Sequence, residues 1–434
     1  MQSVSIIYTS HNSIHIFESL KSTLAQLKQC DEIIVVDDNS QTNFQSKLAS
    51  FCDQFNIRLL FNKTLPHNRS HTRNIGGFAA KNEYLIFIDG DVFIPNNFIE
   101  RFLTETTKKN LSLAGCHVKA MDYSEEQLLL YHGIKIIDYV KNARLLEIEH
   151  KAALKDYRCN RSYCTMNSKY AWRLIYSACI CVKKADYLKV NGFDTSFKGW
   201  GVEDVDFAYS ISKIGKVAYL DHLFVWHIAH YRNRYNNMEQ NYHNLFLAIK
   251  KHQGIIEWEI LQKLVNLDEV MCAIDVVKQQ FENIEFKFPK IKGENYAIFE
   301  TMSGNNNYGN LTYYKDNQVF KIPTLGLSIP ITNDKIEEVY ISQNIFNYPV
   351  ILANCILQEL SRISKKVIIL KIKNFFLINR DAILESKFKI QQNIFYTSSS
   401  SILDICIEDK GDFLIAKSIA PKPKITFRED CFYE

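Results

Sequence analysis

The sequence predicts an α/β protein built on a mostly parallel sheet flanked by helices, with a second domain behind it. Three observations carry that expectation. Short β-branched runs alternate with amphipathic stretches along the first part of the chain, three of those runs end in polar clusters, and the character of the sequence changes beyond Lys250. Alternating strand and helix patterns of this length imply right-handed βαβ units and parallel pairing.

The elements follow in order. VSIIYTS reads as a buried strand, IHIFESLKSTLAQL as an amphipathic helix, EIIVVDD as a second strand, FQSKLASFCDQF as a helix and IRLLF as a third strand. SHTRNIGGFAAK is helical and leads into the strand YLIFID. Beyond it come a helix through FIERFLTETTKK, a strand near LSLAGCHVKA and a long helical stretch around EEQLLLYHGIKIIDYVKN. A basic, aromatic segment from Lys155 to Arg173 precedes the strand YSACICVKK. GFDTSFKGWG is expected to be a flexible loop packed by Phe193, Phe197 and Trp200, VEDVDFAYSISKI a helix, and KVAYLDHLFVWH another strand. Apolar residues then recur at helical spacing through IIEWEILQKLVNLDEVMCAIDVVKQQFENI, and FKFPKIKGENY adds proline and glycine punctuation. The expected domains are therefore residues 1–254, a helical connector over 255–295, and an α/β or α+β accessory domain over 296–434 without a legible catalytic signature.

Composition narrows the function. A 434-residue chain with 47% hydrophobic and 23% charged residues is globular and long enough for two domains. A net charge of +4, spread along the chain, argues against nucleic acid as an obligate partner. No apolar run approaches the roughly 18–20 residues of a bilayer span, and MQSVSIIYTSHNS lacks the pattern of a signal peptide. The expectation is a soluble, cytoplasmic protein, compatible with peripheral contact at the inner face of the membrane. Eleven cysteines without metal-type spacing read as buried reduced thiols. Cys179 and Cys181 point the same way on one strand, either as ligands or, on the base rate for free cysteine, as two core positions.

In a parallel sheet the ligand site lies at the carboxyl ends of the strands, so the clusters Thr9–Asn12, Asp37–Ser40 and Asp89–Asp91 are expected to be neighbours. Asp89 and Asp91 flank Gly90 and form a D-x-D whose hard oxygens suit Mg²⁺ or Mn²⁺ on a diphosphate; an Asp-Gly turn is the plain alternative. Asp37 and Asp38 are placed either to accept the N3 hydrogen of uracil or to cap the next helix. Arg73 is within reach of the diphosphate, or is a surface arginine. Glu203 and Asp204 open a helix, where the macrodipole alone would explain them, yet a carboxylate behind a glycine and tryptophan loop is also what a general base over a sugar acceptor requires. His227 and His230 follow an apolar strand, and one of them is a candidate third metal ligand.

Together SIIYTSHN, VVDDNS, the strand ending in DGD, WGVEDVD and VWH, from about Val4 to His230, resemble the inverting nucleotide-sugar glycosyltransferases of family 2 with a GT-A fold, which is Rossmann-like. The tryptophan form of the acidic motif is similar to the galactosyl- and N-acetylgalactosaminyltransferase group. The resemblance implies that Thr9 and Asp38 contact the base, Arg73 the diphosphate, Asp89 the ribose or the metal, and Asp91 the metal. It makes Asp204 the catalytic base, Glu203 the group beside it that orients the acceptor, and His227 the residue that completes the metal site, against the rival His230. Trp200 is expected to pack on the acceptor sugar, and the segment from Lys155 to Arg173 either lines the acceptor side or is a solvated loop. Asn39 stands where the family pattern has glycine. The implied function is Mn²⁺- or Mg²⁺-dependent transfer from a UDP-sugar to a hydroxyl of a glycan, a lipid-linked intermediate or a protein. A nucleotidyltransferase on a related fold would share the metal aspartates without a use for WGVEDVD. A catalytically silent glycan or nucleotide-sugar binding module would not need the full carboxylate set.

Overall fold

The computed structural model describes residues 3–29, 31–63, 68–119, 170–227, 234–252, 256–259, 288, 291, 293–301, 309–331, 333–348, 350–370, 388–391, 394–397, 405–409 and 413–418. The helices expected around residues 125–142 and 260–284, most of the Lys155–Arg173 segment, and His230 lie outside them. The chain divides into two compact units, Met1–Asn244 and Leu245–Glu434.

The first unit opens with the expected alternation: β1 Val4–Ser10, α1 Ile16–Leu24, β2 Glu32–Asp38, α2 Thr42–Gln54, β3 Arg58–Asn62, α3 Arg69–Ala79 and β4 Tyr84–Asp89. After these come β5 Val92–Phe93, α4 Phe98–Lys108, β6 Leu113–Lys119, β7 Cys179–Lys183, α5 Lys184–Lys189, α6 Glu203–Ser212, β8 Val217–His227 and α7 Arg234–Lys251, the last running across the division between the units. The sheet order is β3-β2-β1-β4-β7-β6-β8-β5. β3, β2, β1 and β4 are mutually parallel, as is the β6/β8 pair, whereas β7 runs antiparallel to both β4 and β6, and β5 antiparallel to β8. The α/β, mostly parallel architecture expected from the sequence is the one observed.

Strand alternation sets two apolar layers. Val4, Ile6 and Tyr8 face a core shared with Ile16 and Leu20 of α1, Phe44 and Leu48 of α2, and Phe98 and Phe102 of α4. The opposite face of β1 carries α3, and there the double glycine of α3 has a steric cause. A Cβ built on Gly76 would sit 2.4 Å from Ile7 Cγ2 and 3.0 Å from Val36 Cγ2, so only glycine lets the helix lie this close to the sheet. Cys179 and Cys181 are both fully buried in the core, and burial pushes the Cys181 thiol up to about 12. They occupy core positions.

The second unit holds a nine-stranded sheet, order β11-β10-β9-β12-β13-β17-β16-β15-β14. Its strands are β9 Asn295–Glu300, β10 Asn310–Lys315, β11 Gln318–Pro323, β12 Ile336–Ser342, β13 Ser364–Leu370, β14 Phe388–Gln391, β15 Ile394–Thr397, β16 Ile405–Asp409 and β17 Phe413–Ser418. Beside it stand the α-helices α8 Ile256–Glu259 and α9 Val350–Ile363, the latter matching the helical pattern at YPVILANCILQELSRI, and a 3₁₀ turn over Gln343–Asn347. The loop after β11 is pinned by buried acids: Thr324, Leu325 and Leu327 donate to Glu259, while the Ile329 N–H donates to Glu359, itself paired with Arg362 at 2.7 Å.

Candidate active site

Register brings the three polar clusters together. Ser10 pairs with Asp37 across β1/β2, and Thr9 pairs with Asp89 across β1/β4. The Thr9 hydroxyl donates to Asp89 Oδ1 at 3.4 Å, and the Gly90 N–H donates to the Thr9 carbonyl at 3.0 Å. On the other flank His11 Nδ1 lies 2.8 Å from the Asp38 carbonyl, and the Asn12 N–H donates to Ser40. Asn39 adopts φ 54°, the left-handed region that asparagine tolerates, which accounts for its standing in for the family's glycine.

The two aspartates of β2 divide their work. Asp37 turns inward, accepting from the Ser40 N–H at 3.0 Å and from Gln45 Nε2 at 2.8 Å, so it holds the turn into α2. Asp38, with 6% of its surface exposed, accepts from Asn62 at 2.7 Å and is the member of the pair at the strand-end crevice. Nothing in the local pattern marked Asn62, which comes from the end of β3 and also donates to Thr72 of α3.

Arg73 is no surface residue. Its guanidinium is 2% exposed and donates from one nitrogen to Asp89 and from the other to Glu203, both at 3.1 Å, with the ring of Phe193 at 5.4 Å. Burial opposes the guanidinium charge, and Asp89, Glu203 and Asp204 more than restore it. Asn74, also on α3, clamps the start of the following loop: its amide donates to the Phe193 carbonyl and accepts the Phe193 N–H and the Tyr187 hydroxyl. Removing one partner of a buried ion pair strands the other. Arg73→Met is therefore expected to cost about 3–5 kcal/mol in denaturant unfolding, and a loss below about 1 kcal/mol would show that Glu203 does not depend on it.

The end of this loop uses the backbone freedom of glycine. Gly201 has φ 98° and packs on Asn241, and Val202 follows at φ 75°, ψ −30° although it is β-branched and buried. Holding valine there costs of the order of 1–3 kcal/mol and fixes how α6 begins. The segment expected to be a flexible loop is tied on both sides. Asn68 donates to the Thr195 carbonyl, Gln240 accepts from the Trp200 N–H, and Asn244 donates to the carbonyls of Lys198 and Gly201. Nothing in the sequence marked Gln240 or Asn244 for this part. Phe193 and Phe197 are buried as expected, and Phe193 stacks on Phe207 at 4.2 Å, whereas Trp200 is only half-buried.

The helix start separates Glu203 from Asp204. Glu203 is 4% exposed and turned to Arg73, which makes it a brace between the Asp89 end of β4 and α6; the acceptor-orienting role expected of it has to act from this buried position. Asp204 is half-buried and accepts the Ser177 N–H at 3.3 Å and its neighbour Val205's N–H at 2.8 Å. Burial, then the Glu203 charge, push its carboxyl up to about 7, with Arg73 and the two N–H donors pulling the other way.

Asp91 lies just past β4, and its Oδ2 is 3.4 Å from Nε2 of His227, the last residue of β8, which the β5/β8 pairing brings opposite Val92. A carboxylate and an imidazole, with Asp89 two residues away, fit a borderline divalent cation such as Mn²⁺. Among the described residues no group of three or more potential ligands gathers.

Comparison with known proteins gives a consistent family. The model described as "Glycosyltransferase like family 2" matches residues 3–255. Validoxylamine A glucosyltransferase of Streptomyces hygroscopicus subsp. jinggangensis is 21% identical over 230 residues, 49% of this chain and 52% of the relative. Chondroitin synthase of Escherichia coli is 23% identical over 223 residues, 49% of this chain and 32% of the relative. The chain thus spans about half the length of the first of these relatives and about a third of the second. The crystal structure of S. aureus TarS 1-349 superposes with a TM-score of 0.42 at 14% identity, covering 63% of this chain and 69% of that one.

Proposed function

Because this chain belongs to the glycosyltransferase-like family 2, we propose that its N-terminal unit transfers a sugar from a UDP-sugar to an acceptor hydroxyl, with divalent-metal dependence and inversion. The observation that carries the reading is the division of the strand-end crevice into two chemically different halves. Asp38, Thr9, Asp89 and the Asp91/His227 pair line one half, and Asp204, with its carboxyl raised to about 7, stands on the other, joined to the first through Glu203 and Arg73.

In this reading Asp38 and Thr9 hold the uracil side of the donor, and Asp89 the ribose. Asp91 and His227 would hold Mn²⁺ or Mg²⁺, which supplies neutralising charge to the diphosphate as it leaves. His227, in contact with Asp91, is preferred over His230 for this place. The acceptor hydroxyl attacks the anomeric carbon from the face opposite the UDP. Asp204 takes the proton of that hydroxyl, the new C–O bond forms, and the bond to the diphosphate breaks with its electron pair leaving on UDP. One displacement inverts the anomeric centre. A carboxyl near 7 is suited to this work, since a base whose pKa lies near the operating pH combines availability with driving force. Arg73 supports the donor half by orienting Asp89, a positioning part added to the diphosphate contact implied by the family resemblance. Trp200 is proposed to close on the acceptor sugar, and the C-terminal unit to be an accessory to the transfer.

Incubation with UDP-glucose, UDP-galactose and their N-acetylhexosamine counterparts, with and without Mn²⁺, tests the reading through UDP release. Release from at least one donor, dependent on metal, is expected. Nucleoside-triphosphate-dependent pyrophosphate release instead would make the protein a nucleotidyltransferase, and no UDP affinity at all would remove the donor site.

A further inference from the structure

α7 grips the tryptophan loop by its backbone. Gln240, Asn241 and Asn244 fall on one side of the helix, and all three meet the segment Lys198–Gly201. Asn244 is 1% exposed and commits its whole amide to that segment. Its Nδ2 donates to the carbonyls of Lys198 and Gly201, both at 2.9 Å, and more distantly to that of Trp200 at 3.4 Å, while its Oδ1 accepts the Lys198 N–H at 3.3 Å. One turn earlier Gln240 Oε1 accepts the Trp200 N–H at 2.8 Å. The glycines on either side of Trp200 let the chain lie this close: a Cβ on Gly199 would stand 2.5 Å from Gln240 Oε1, and one on Gly201 closer still to Asn241 Oδ1.

Packing does not explain the arrangement. Lys198 is exposed, Gly199, Trp200 and Gly201 are half-buried, and the apolar anchors of the loop, Phe193 and Phe197, precede them in the chain. A buried, fully used amide under so exposed a stretch fixes geometry. It sets how the Trp200 side chain leaves the loop and, through Gly201 and the strained Val202, where Glu203 and Asp204 begin α6.

We propose that Asn244 and Gln240 are positioning residues of the acceptor site, acting through Trp200 and Asp204. The inference rests on the transferase reading, in which the indole covers an acceptor sugar and Asp204 takes the proton of its hydroxyl. An attacking oxygen has to stand within about 3–3.5 Å of the anomeric carbon, so a misplacement of about 1 Å costs on the order of 10²-fold in rate. With its N–H and carbonyl tied to α7, the Trp200 backbone is set before any acceptor arrives, and closure falls to the indole. The donor half is braced separately, by Asn62 on Asp38 and Arg73 on Asp89, so loosening α7 should leave UDP binding intact.

The test uses the full chain with Mn²⁺ and whichever of UDP-glucose, UDP-galactose and their N-acetylhexosamine counterparts the parent hydrolyses, water serving as the acceptor. Asn244→Ala is expected to lower kcat at least tenfold while KM for the donor stays within twofold, a split that a general loss of structure would not give. Gln240→Leu, at an exposed helix position, should lower kcat at least threefold and serves if the first variant does not fold. Gln240→Glu keeps the accepting oxygen and should restore the rate. A second measurement needs no turnover. Trp172, Trp226 and Trp258 are buried, so acrylamide quenching of tryptophan fluorescence reads Trp200, and the quenching constant should rise at least twofold in Asn244→Ala and Gln240→Leu. A kcat within twofold of the parent in the folded variants, a donor KM that rises in step with the loss of kcat, or unchanged quenching would overturn the proposal. A parent that releases no UDP from any donor fails the transferase reading instead, and the quenching comparison then decides the clamp by itself.

Discussion

Asp204→Asn is expected to lower sugar transfer by roughly 10²–10⁴, the usual contribution of a positioned general base, and to leave UDP affinity unchanged. Asparagine can still accept the N–H groups of Ser177 and Val205, so the start of α6 should keep its geometry, and the donor half contains no atom of Asp204. Stability gives an independent check. The folded carboxyl is raised from 3.8 to about 7, so the stability linked to its protonated form is full below about pH 3.8 and is lost as pH rises through about 7. The parent therefore carries an unfavourable buried charge at pH 8 that the variant lacks. Thermal melting should show Asp204→Asn matching the parent near pH 4 and exceeding it at pH 8, a stability gain at the expense of function. If Asp204 only caps the helix, the substitution would cost about 1 kcal/mol or less at either pH and transfer would be untouched.

Asp91→Ala is expected to abolish the part of UDP affinity that depends on Mn²⁺. The Asp91 side chain is 22% exposed and the His227 imidazole beside it 4%, so the substitution removes the carboxylate from the crevice without opening the core. Because the substitution takes a partner from the nearly buried His227 imidazole, a stability cost of about 1–3 kcal/mol is expected, short of unfolding. Calorimetric titration of UDP with and without Mn²⁺ reads the effect directly. The parent should bind more tightly with the metal, and the variant should show one affinity under both conditions. A folded Asp91→Ala protein whose UDP binding still tightens on adding Mn²⁺ would remove Asp91 from the metal site.

Much of the first unit was legible because its determinants are local. Runs such as EIIVVDD and YLIFID are apolar, short and closed by polar residues, and the observed β2 and β4 have those same limits. The helix at Glu203–Ser212 and the strand ending at His227 likewise follow from composition and periodicity. Strand direction was not legible beyond β4. CICVK is buried on both faces, so its pattern is the same whether it runs parallel or, as observed, antiparallel to β4 and β6.

At the site, residue types were readable and partnerships were not. Asp37 and Asp38 are adjacent and chemically identical, and only the fold shows that the first is consumed by Ser40 and Gln45. Glu203 meets Arg73 across 130 positions of sequence, and no periodicity reports a contact of that separation. The same holds for Asn244 under Gly201, where an ordinary polar helix position proves to anchor the loop.

The central claim is that Asp204 is the base of a transfer reaction run between the two halves of the crevice. The pH dependence of transfer, at saturating UDP-sugar and Mn²⁺, bears on it most directly. With the carboxyl at about 7, the rate should climb close to tenfold per pH unit at low pH and level off above about pH 7. The Asp204→Asn protein should be slow and flat over the same range. A parent profile that is flat from pH 5.5 to 8, with the folded variant turning over within threefold of the parent, would contradict the account.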